Sequence, residues 1–523
     1  YLCYFLGREL IKIFNVYNLH HSYFQKNKIL MFLATILFLI LTGFLPIITL
    51  GIIISAAFLV LVIIKPQILI YALVFYIPFE EFFLKQLPSG LASVVRFGIE
   101  PLFIGLFLIG IMLKILRKQK IFWGKISIFI FLFIIFGLIS NLLNSGNMSV
   151  YVLGIRPFIR YFFLYLIIIN LEDIDIKKIF KIFILTFILQ LLIGMAEFLV
   201  PSLLDFFASR DVSVGGSIIR DGYQTNYTET YIFGTLGRYN IYANYIVHML
   251  LLIFPFYILG DLKKGKKVLI SFILILGLVV LGISNSRTSL FSLSFAGFIM
   301  STFMKGGLLK PFLTKTKRKI IIKKVTILRL FAVLISIPIL LIIILKMGIL
   351  DDFQMLDRLN QIFSYEYINQ SLKTDRLYVL FYLLPFLLST KPLFGYGPGE
   401  IGSDISGGVI GSNNLFNIKS IVDNPFISDV GHVSLIAQTG LVGYMLFVSI
   451  FIYAYRQVKN YYAVSTNKYH RILLVGILGN LVAIFIENFG SFNVTYRAIS
   501  GYMWIMFGLL IFIKIKGRKN KNV

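Results

Sequence analysis

Apolar residues run in long blocks along this chain, and the blocks, not any alternation, define its elements. A helix needs about 20 consecutive apolar residues to cross a hydrocarbon core of about 30 Å. By that measure the pattern predicts fourteen membrane spans. The first seven fall at 28–45, 46–64, 67–84, 94–116, 124–143, 150–170 and 177–200. The second seven fall at 239–259, 268–284, 288–304, 327–347, 433–455, 472–490 and 498–515. The run 29–64 is too long for one span, because a helix of that length would measure about 54 Å; Pro46 divides it. The run 268–304 divides in the same way at Ser284-Asn285-Ser286-Arg287-Thr288-Ser289.

Two polar segments between the spans are long, 201–238 and 348–432. Inside the second, the apolar stretch Leu377–Leu388 is too short to cross a bilayer. It predicts an amphipathic or re-entrant helix at the interface, bent at Pro385. The fold class expected is therefore all-α: a polytopic integral membrane protein with one large outer loop containing short amphipathic helices. Its parts would be a membrane bundle at 1–347, the loop at 348–432, and further spans with a basic tail at 433–523. Residues 1–28 are basic and precede an apolar run without a cleavage signature, which reads as a retained first span.

Composition agrees with the pattern: 58% of residues are hydrophobic and only 14% charged. The net charge of +27 raises the question of nucleic acid, and its distribution answers it. With fourteen spans both termini share one side, which collects 35 of the 50 Lys and Arg and only five of the 23 acids. Such an excess marks the cytoplasm, so the charge needs no nucleic-acid partner; the basic stretch 305–324 faces anionic lipid headgroups. The single cysteine, Cys3, forbids an internal disulfide and a cysteine-rich zinc site.

Candidate chemistry is concentrated in Lys373–Gly443. Of the five histidines, His20, His21 and His470 fall on the cytoplasmic side, and His248 lies within a span and reads as packing or hydrogen-bonding there, not as reacting. His432 stands at the outer edge of a span, after a long polar loop. An imidazole there titrates near working pH and can take a proton from an attacking hydroxyl. Arg287 interrupts an apolar run, at an insertion cost of about 2.5–3.5 kcal/mol near the hydrocarbon centre, so it should face a cavity or a partner. Arg376 opens the short interfacial helix, where a pair with Asp375 or with a lipid phosphate is the plainer alternative to a substrate role. Two guanidinium forks suit a diphosphate. Gly395-Tyr396-Gly397-Pro398-Gly399 lacks the ending and the βαβ setting of a phosphate loop. Its glycines read first as tight turns and second as a phosphate cradle. Asp173-Ile174-Asp175 sits beside lysines in a short loop and reads as loop charge, not a metal pair.

These residues resemble the O-antigen ligase and O-antigen polymerase superfamily of bacterial envelope glycosyltransferases. That family's block runs from an arginine through a Pro-Leu-Phe-Gly-x-Gly-Pro-Gly turn to a histidine and then Gln/Glu-Thr-Gly-Leu-x-Gly. The matching positions are Arg376, Pro392–Gly399, His432 and Gln438–Gly443. Ser286-Arg287-Thr288 is similar to the family's Ser-Arg-Thr/Ser-Gly hairpin. Gly237-Arg238-Tyr239-Asn240 with Asn244 is similar to its Gly-x-Phe-x-x-Pro-Asn start of a span. The chain departs from the pattern at Val433, where many members have asparagine, and at Ala243, where they have proline.

The resemblance implies a GT-C-like, metal-independent, inverting transferase without a cofactor in the bacterial inner membrane. Both termini would be cytoplasmic and the active site extracytoplasmic. The donor would be an oligosaccharide on undecaprenyl pyrophosphate, the acceptor a sugar or a lipid-linked glycan. His432, Arg376 and Arg287 would be catalytic; Arg287, Arg376, Arg238, Asn244 and Tyr396 would bind substrate. A polysaccharide repeat-unit polymerase is the first expectation and a ligase to lipid A-core the second. A flippase for the lipid-linked sugar is a third, from another class; it favours charge and broken helices near mid-membrane in two related halves, and no such halves are evident.

Overall fold

The computed structural model describes residues 67–207, 213–224 in part, 232–309, 364–401 and 427–519, apart from single positions within these stretches. The expected spans at 28–45, 46–64 and 327–347 lie outside the described residues, as do Cys3 and about half of the loop 348–432.

The helices, in chain order, are α1 (Gln67–Tyr76), α2 (Glu80–Gln86), α3 (Ser89–Leu116), α4 (Gly124–Leu143), α5 (Met148–Ile159), α6 (Phe162–Ile169) and α7 (Ile176–Leu199). A short α8 (Leu204–Phe207) leads to a small antiparallel meander of β1 (Ser213–Val214), β2 (Ser217–Arg220) and β3 (Tyr223–Gln224). Then come α9 (Tyr239–Leu259), α10 (Lys264–Ile283), α11 (Arg287–Leu309) and α12 (Tyr365–Thr374). The last are α13 (Arg376–Thr390), α14 (Gly431–Val464), α15 (Lys468–Glu487) and α16 (Arg497–Lys519). Among the described residues nine helices are long and apolar enough to cross a membrane, or ten when α5 and α6, bent by 41°, count as one span. This is a helical, polytopic membrane architecture. The expected span 288–304 is α11, 23 residues long but with serines at 289, 292, 294 and 301, and it is not one of the nine.

The chain divides into two compact units, Tyr1–Ile68 and Leu69–Val523, and α2 to α16 belong to the second. Burial separates the centre of that unit from its rim. In the most apolar window of α16, 89% of residues are buried, against 17% for Gly98–Leu116 of α3, so α16 is central and α3 peripheral. Leu108, Met112 and Ile115 of α3 and Val268, Phe272 and Ile275 of α10 are exposed, as side chains meeting hydrocarbon should be. Lipid supplies no hydrophobic drive between helices, so close packing must do so. On α15, Gly476 and Gly479 let the helix approach α9: an added Cβ would come within 3.0 Å of Leu252 and 3.4 Å of Leu251. Phe162 and Tyr165 of α6 pack on Trp504 of α16 with ring centres 5.7 and 6.0 Å apart.

The short helix expected at Leu377–Leu388 is α13. It is continuous past Pro385, and its irregularity is a π-helical turn at Val379–Leu383, immediately before the proline-bearing segment Leu384–Thr390. Val379, Leu383 and Leu387 face Val430, Val433 and Ala437 at the start of α14, while Phe381 and Tyr382 are exposed.

Candidate active site

The glycine-rich turn after α13 and the start of α14 form one structure. Gly440 has φ 65° and ψ −173°, which breaks α14 after its ninth to tenth residue and strips carbonyls and amides of helical partners. Buried in a bilayer protein, those groups must be satisfied elsewhere. The turn does this. Tyr396 N–H donates to Ala437 O (2.8 Å) and Gly397 N–H to Gln438 O (3.0 Å). In return Leu441 N–H donates to Pro392 O (2.8 Å) and Val442 N–H to Leu393 O (3.3 Å). Gly395, Gly397 and Gly399 have φ of 66°, 110° and 88°, the left-handed region that favours glycine. On the other side, Asn144 Nδ2 donates to Gly395 O at 2.9 Å, and Gly399 packs directly on Gly154 of α5.

This arrangement corrects the phosphate-cradle expectation. The amide of Gly395 donates to Lys391 O, that of Gly399 to Gln438 Oε1 (3.2 Å) and that of Glu400 to Gly397 O. Pro398 has none. The turn's N–H groups are committed to protein and none is aimed at an anion. Tyr396 is likewise buried: its hydroxyl pairs with Thr390 Oγ1 at 2.8 Å, and the Lys391 ammonium lies 4.7 Å from its ring centre. It anchors α13 on α14.

His432 lies in the first turn of α14 and is 5% exposed. Its Nε2 is 2.9 Å from Phe485 O and its Nδ1 3.4 Å from Tyr444 Oη. Phe485 and Phe489 flank the ring at 4.7 and 4.4 Å between centres. Its backbone N–H donates to Asn488 O. His432 is thus seated on the C-terminal end of α15. Arg376 Nη2 is 3.6 Å from Asp429 Oδ2, three positions before His432, with both side chains over a third exposed. Arg287 begins α11, and its neighbour Thr288 abuts Gly490, an added Cβ there meeting Thr288 Oγ1 at 2.6 Å. The short segment 485–490 therefore carries His432 on one side and the start of α11 on another.

Arg238 caps α9 and lies over the Tyr496 ring at 5.9 Å. The segment leading to it is held down by Glu197 Oε2, which accepts from Phe233 N–H and Gly234 N–H at 2.8 Å each. Asn244 is 1% exposed. Its Nδ2 donates to Asn493 Oδ1 (2.9 Å) and its Oδ1 accepts from Ser289 Oγ, so both ends of the amide are taken within the protein. Asn244 joins α9 to α11.

Beneath these residues runs a polar network that sequence reasoning missed. Glu487, fully buried, accepts from Ser292 Oγ (2.9 Å) through Oε1 and from Asn493 Nδ2 (2.8 Å) through Oε2, and pairs with His248 Nε2 at 3.1 Å. His248 thus lies against the carboxyl of Glu487 inside this network. Two further clusters lie inside the bundle. Arg497 pairs with Glu80, whose other oxygen accepts from Tyr161 Oη at 3.1 Å. Arg156 and Arg160 share Glu100 Oε1 at 2.8 and 3.0 Å. The available signal was an acid in or beside an apolar span, which in lipid must have a partner. Asp173-Ile174-Asp175 is loop charge as expected: Asp175 caps α7, and Asp173 lies 3.5 Å from Lys516.

No protein-family model matches the chain, and no curated protein matches it.

Proposed function

We propose that this protein is a membrane glycosyltransferase that moves an undecaprenyl-pyrophosphate-linked oligosaccharide to a sugar hydroxyl at the extracytoplasmic face of the bacterial inner membrane, as a polysaccharide repeat-unit polymerase. What supports this reading most is that His432 and the start of α11, which carries Arg287, both lie against the end of α15, while Arg376 pairs with Asp429, three positions before His432. Arg287 and Arg376 bind the pyrophosphate, which displaces Asp429 from the Arg376 fork, and stabilise its departure. His432 removes the proton of the acceptor hydroxyl. The acceptor oxygen forms the new bond to the anomeric carbon as the bond to the pyrophosphate oxygen breaks, with inversion. The pyrophosphate leaves with the electron pair. Arg238 lines the same end of the bundle; Asn244 and Tyr396 position helices.

The test is transfer in reconstituted vesicles with donor supplied on one face only. Wild-type protein should turn over donor on the extracytoplasmic face, and His432→Ala should lose transfer by about 100-fold or more. Full activity in His432→Ala refutes the assignment. Single-repeat glycan in a deletion strain indicates a lost polymerase, whereas long unattached chains indicate a lost ligase.

A further inference from the structure

The hydrogen-bond partners of His432 decide which nitrogen can act. Phe485 O, 2.9 Å from Nε2, is a carbonyl and can only accept, so Nε2 carries the hydrogen in the neutral ring. Nδ1 then holds the lone pair, facing Tyr444 Oη at 3.4 Å. Phe485 lies in the last turn of α15, where carbonyls lack helical partners and the helix end is partly negative. An imidazolium formed by protonation at Nδ1 is stabilised by that carbonyl, which takes the part a carboxylate plays in a catalytic triad.

Tyr444 reaches this nitrogen only because α14 is broken. His432 and Tyr444 are twelve residues apart, which in a straight helix is about 18 Å along the axis, beyond the combined reach of the two side chains. The non-helical backbone at Gly440 folds the second part of the helix back, and the turn Pro392–Gly399 holds the fold with four backbone hydrogen bonds across the break.

We infer that Tyr444 is a positioning residue for the base. Its hydroxyl donates to Nδ1 of His432 in the resting protein and marks the place where the acceptor hydroxyl docks, and the glycine turn exists to bring the two together. This deepens the transferase reading and rests on it for the identity of the acceptor; the tautomer does not. On binding, the acceptor hydroxyl takes the place of the Tyr444 hydroxyl at the single lone pair of Nδ1 and donates its hydrogen there, the displaced Tyr444 hydroxyl donates to the acceptor oxygen and so orients it, and the Nε2–H bond to Phe485 O is retained throughout.

Two measurements test this. The first is 15N NMR of histidine-labelled protein in detergent, with His432→Gln used to assign the signal. Gln places an N–H donor where Nε2 stood, so the contact with Phe485 O and the fold are retained while the base is lost. The expected pattern for His432 is a bare Nδ1 and a hydrogen-bearing Nε2, with Tyr444→Phe moving only the Nδ1 signal. A bare Nε2 overturns the inference. The second is single-turnover transfer with donor prebound. Tyr444→Phe should lower the rate about tenfold, on the order of one hydrogen bond, and leave donor binding unchanged. An unchanged rate overturns the positioning role. A wild-type protein with the expected 15N pattern and no transfer on any donor overturns that role together with the transferase reading, and leaves only the tautomer.

Discussion

Gly440 offers the sharpest quantitative test of the architecture. Replacing it with alanine puts a Cβ on a residue at φ 65° and ψ −173°, a region populated almost only by glycine and costing about 1–3 kcal/mol for other residues. The same Cβ would stand 2.2 Å from Leu393 O and 2.3 Å from Leu393 C. Both are backbone atoms that cannot swing aside, so the segment 392–394 must retreat. That breaks the bonds from Leu441 N–H to Pro392 O and from Val442 N–H to Leu393 O, worth about 1 kcal/mol each. The sum is about 3–5 kcal/mol, a large share of the roughly 5–15 kcal/mol that holds a typical domain. Thermal unfolding of purified protein in detergent, followed by circular dichroism and by the monodisperse fraction, measures it. The control is Gly110→Ala on α3, where an added Cβ meets nothing within 4 Å and the change should stay within about 1 kcal/mol. If Gly440→Ala melts with the control and transfers glycan normally, the break is not held by the turn and the reasoning fails.

Other expectations concern single polar and charged residues. Glu487→Ala leaves Ser292 and Asn493 without their buried partner and should destabilise the protein by about 1–3 kcal/mol for each group left unsatisfied; a melting point equal to wild type counts against the network. Arg497→Met alone should cost a similar amount by leaving Glu80 buried and unpaired, and the double variant with Glu80→Met should recover most of it in a double-mutant cycle. Burial lowers the Lys391 ammonium pKa below the usual lysine range. The unfolded chain then binds more protons across that window, so stability rises with pH there, and Lys391→Met should flatten that rise in melts taken from neutral to alkaline pH. Arg376→Lys keeps the charge and loses the planar fork, and should weaken lipid-pyrophosphate binding by about tenfold or more in a vesicle binding assay.

Hydropathy alone located the helices well. The expected spans 124–143 and 239–259 coincide with Gly124–Leu143 and Tyr239–Leu259, and 177–200 with Ile176–Leu199. The reason is local: a helix in lipid satisfies its own backbone and presents an apolar surface of fixed length, so each span is written in its own residues. The irregularity expected at Pro385 is a π-helical turn at Val379–Leu383, just before the proline, on a helix whose Val379, Leu383 and Leu387 pack on α14.

The site was legible as a set of residues and not as a set of relations. The two motif halves at 392–399 and 438–443 stood out in the sequence, but their mutual hydrogen bonding could be seen only once the chain was folded. The internal partners of Asn244 and Tyr396 came into view only with the fold, and Glu487 and Tyr444 did not stand out at all. Arg497 and Glu80 are separated by 417 positions. Which helix end meets which, and therefore which buried charge finds a partner and which nitrogen of His432 is left with a lone pair, depends on non-local packing; no run of neighbouring residues records it.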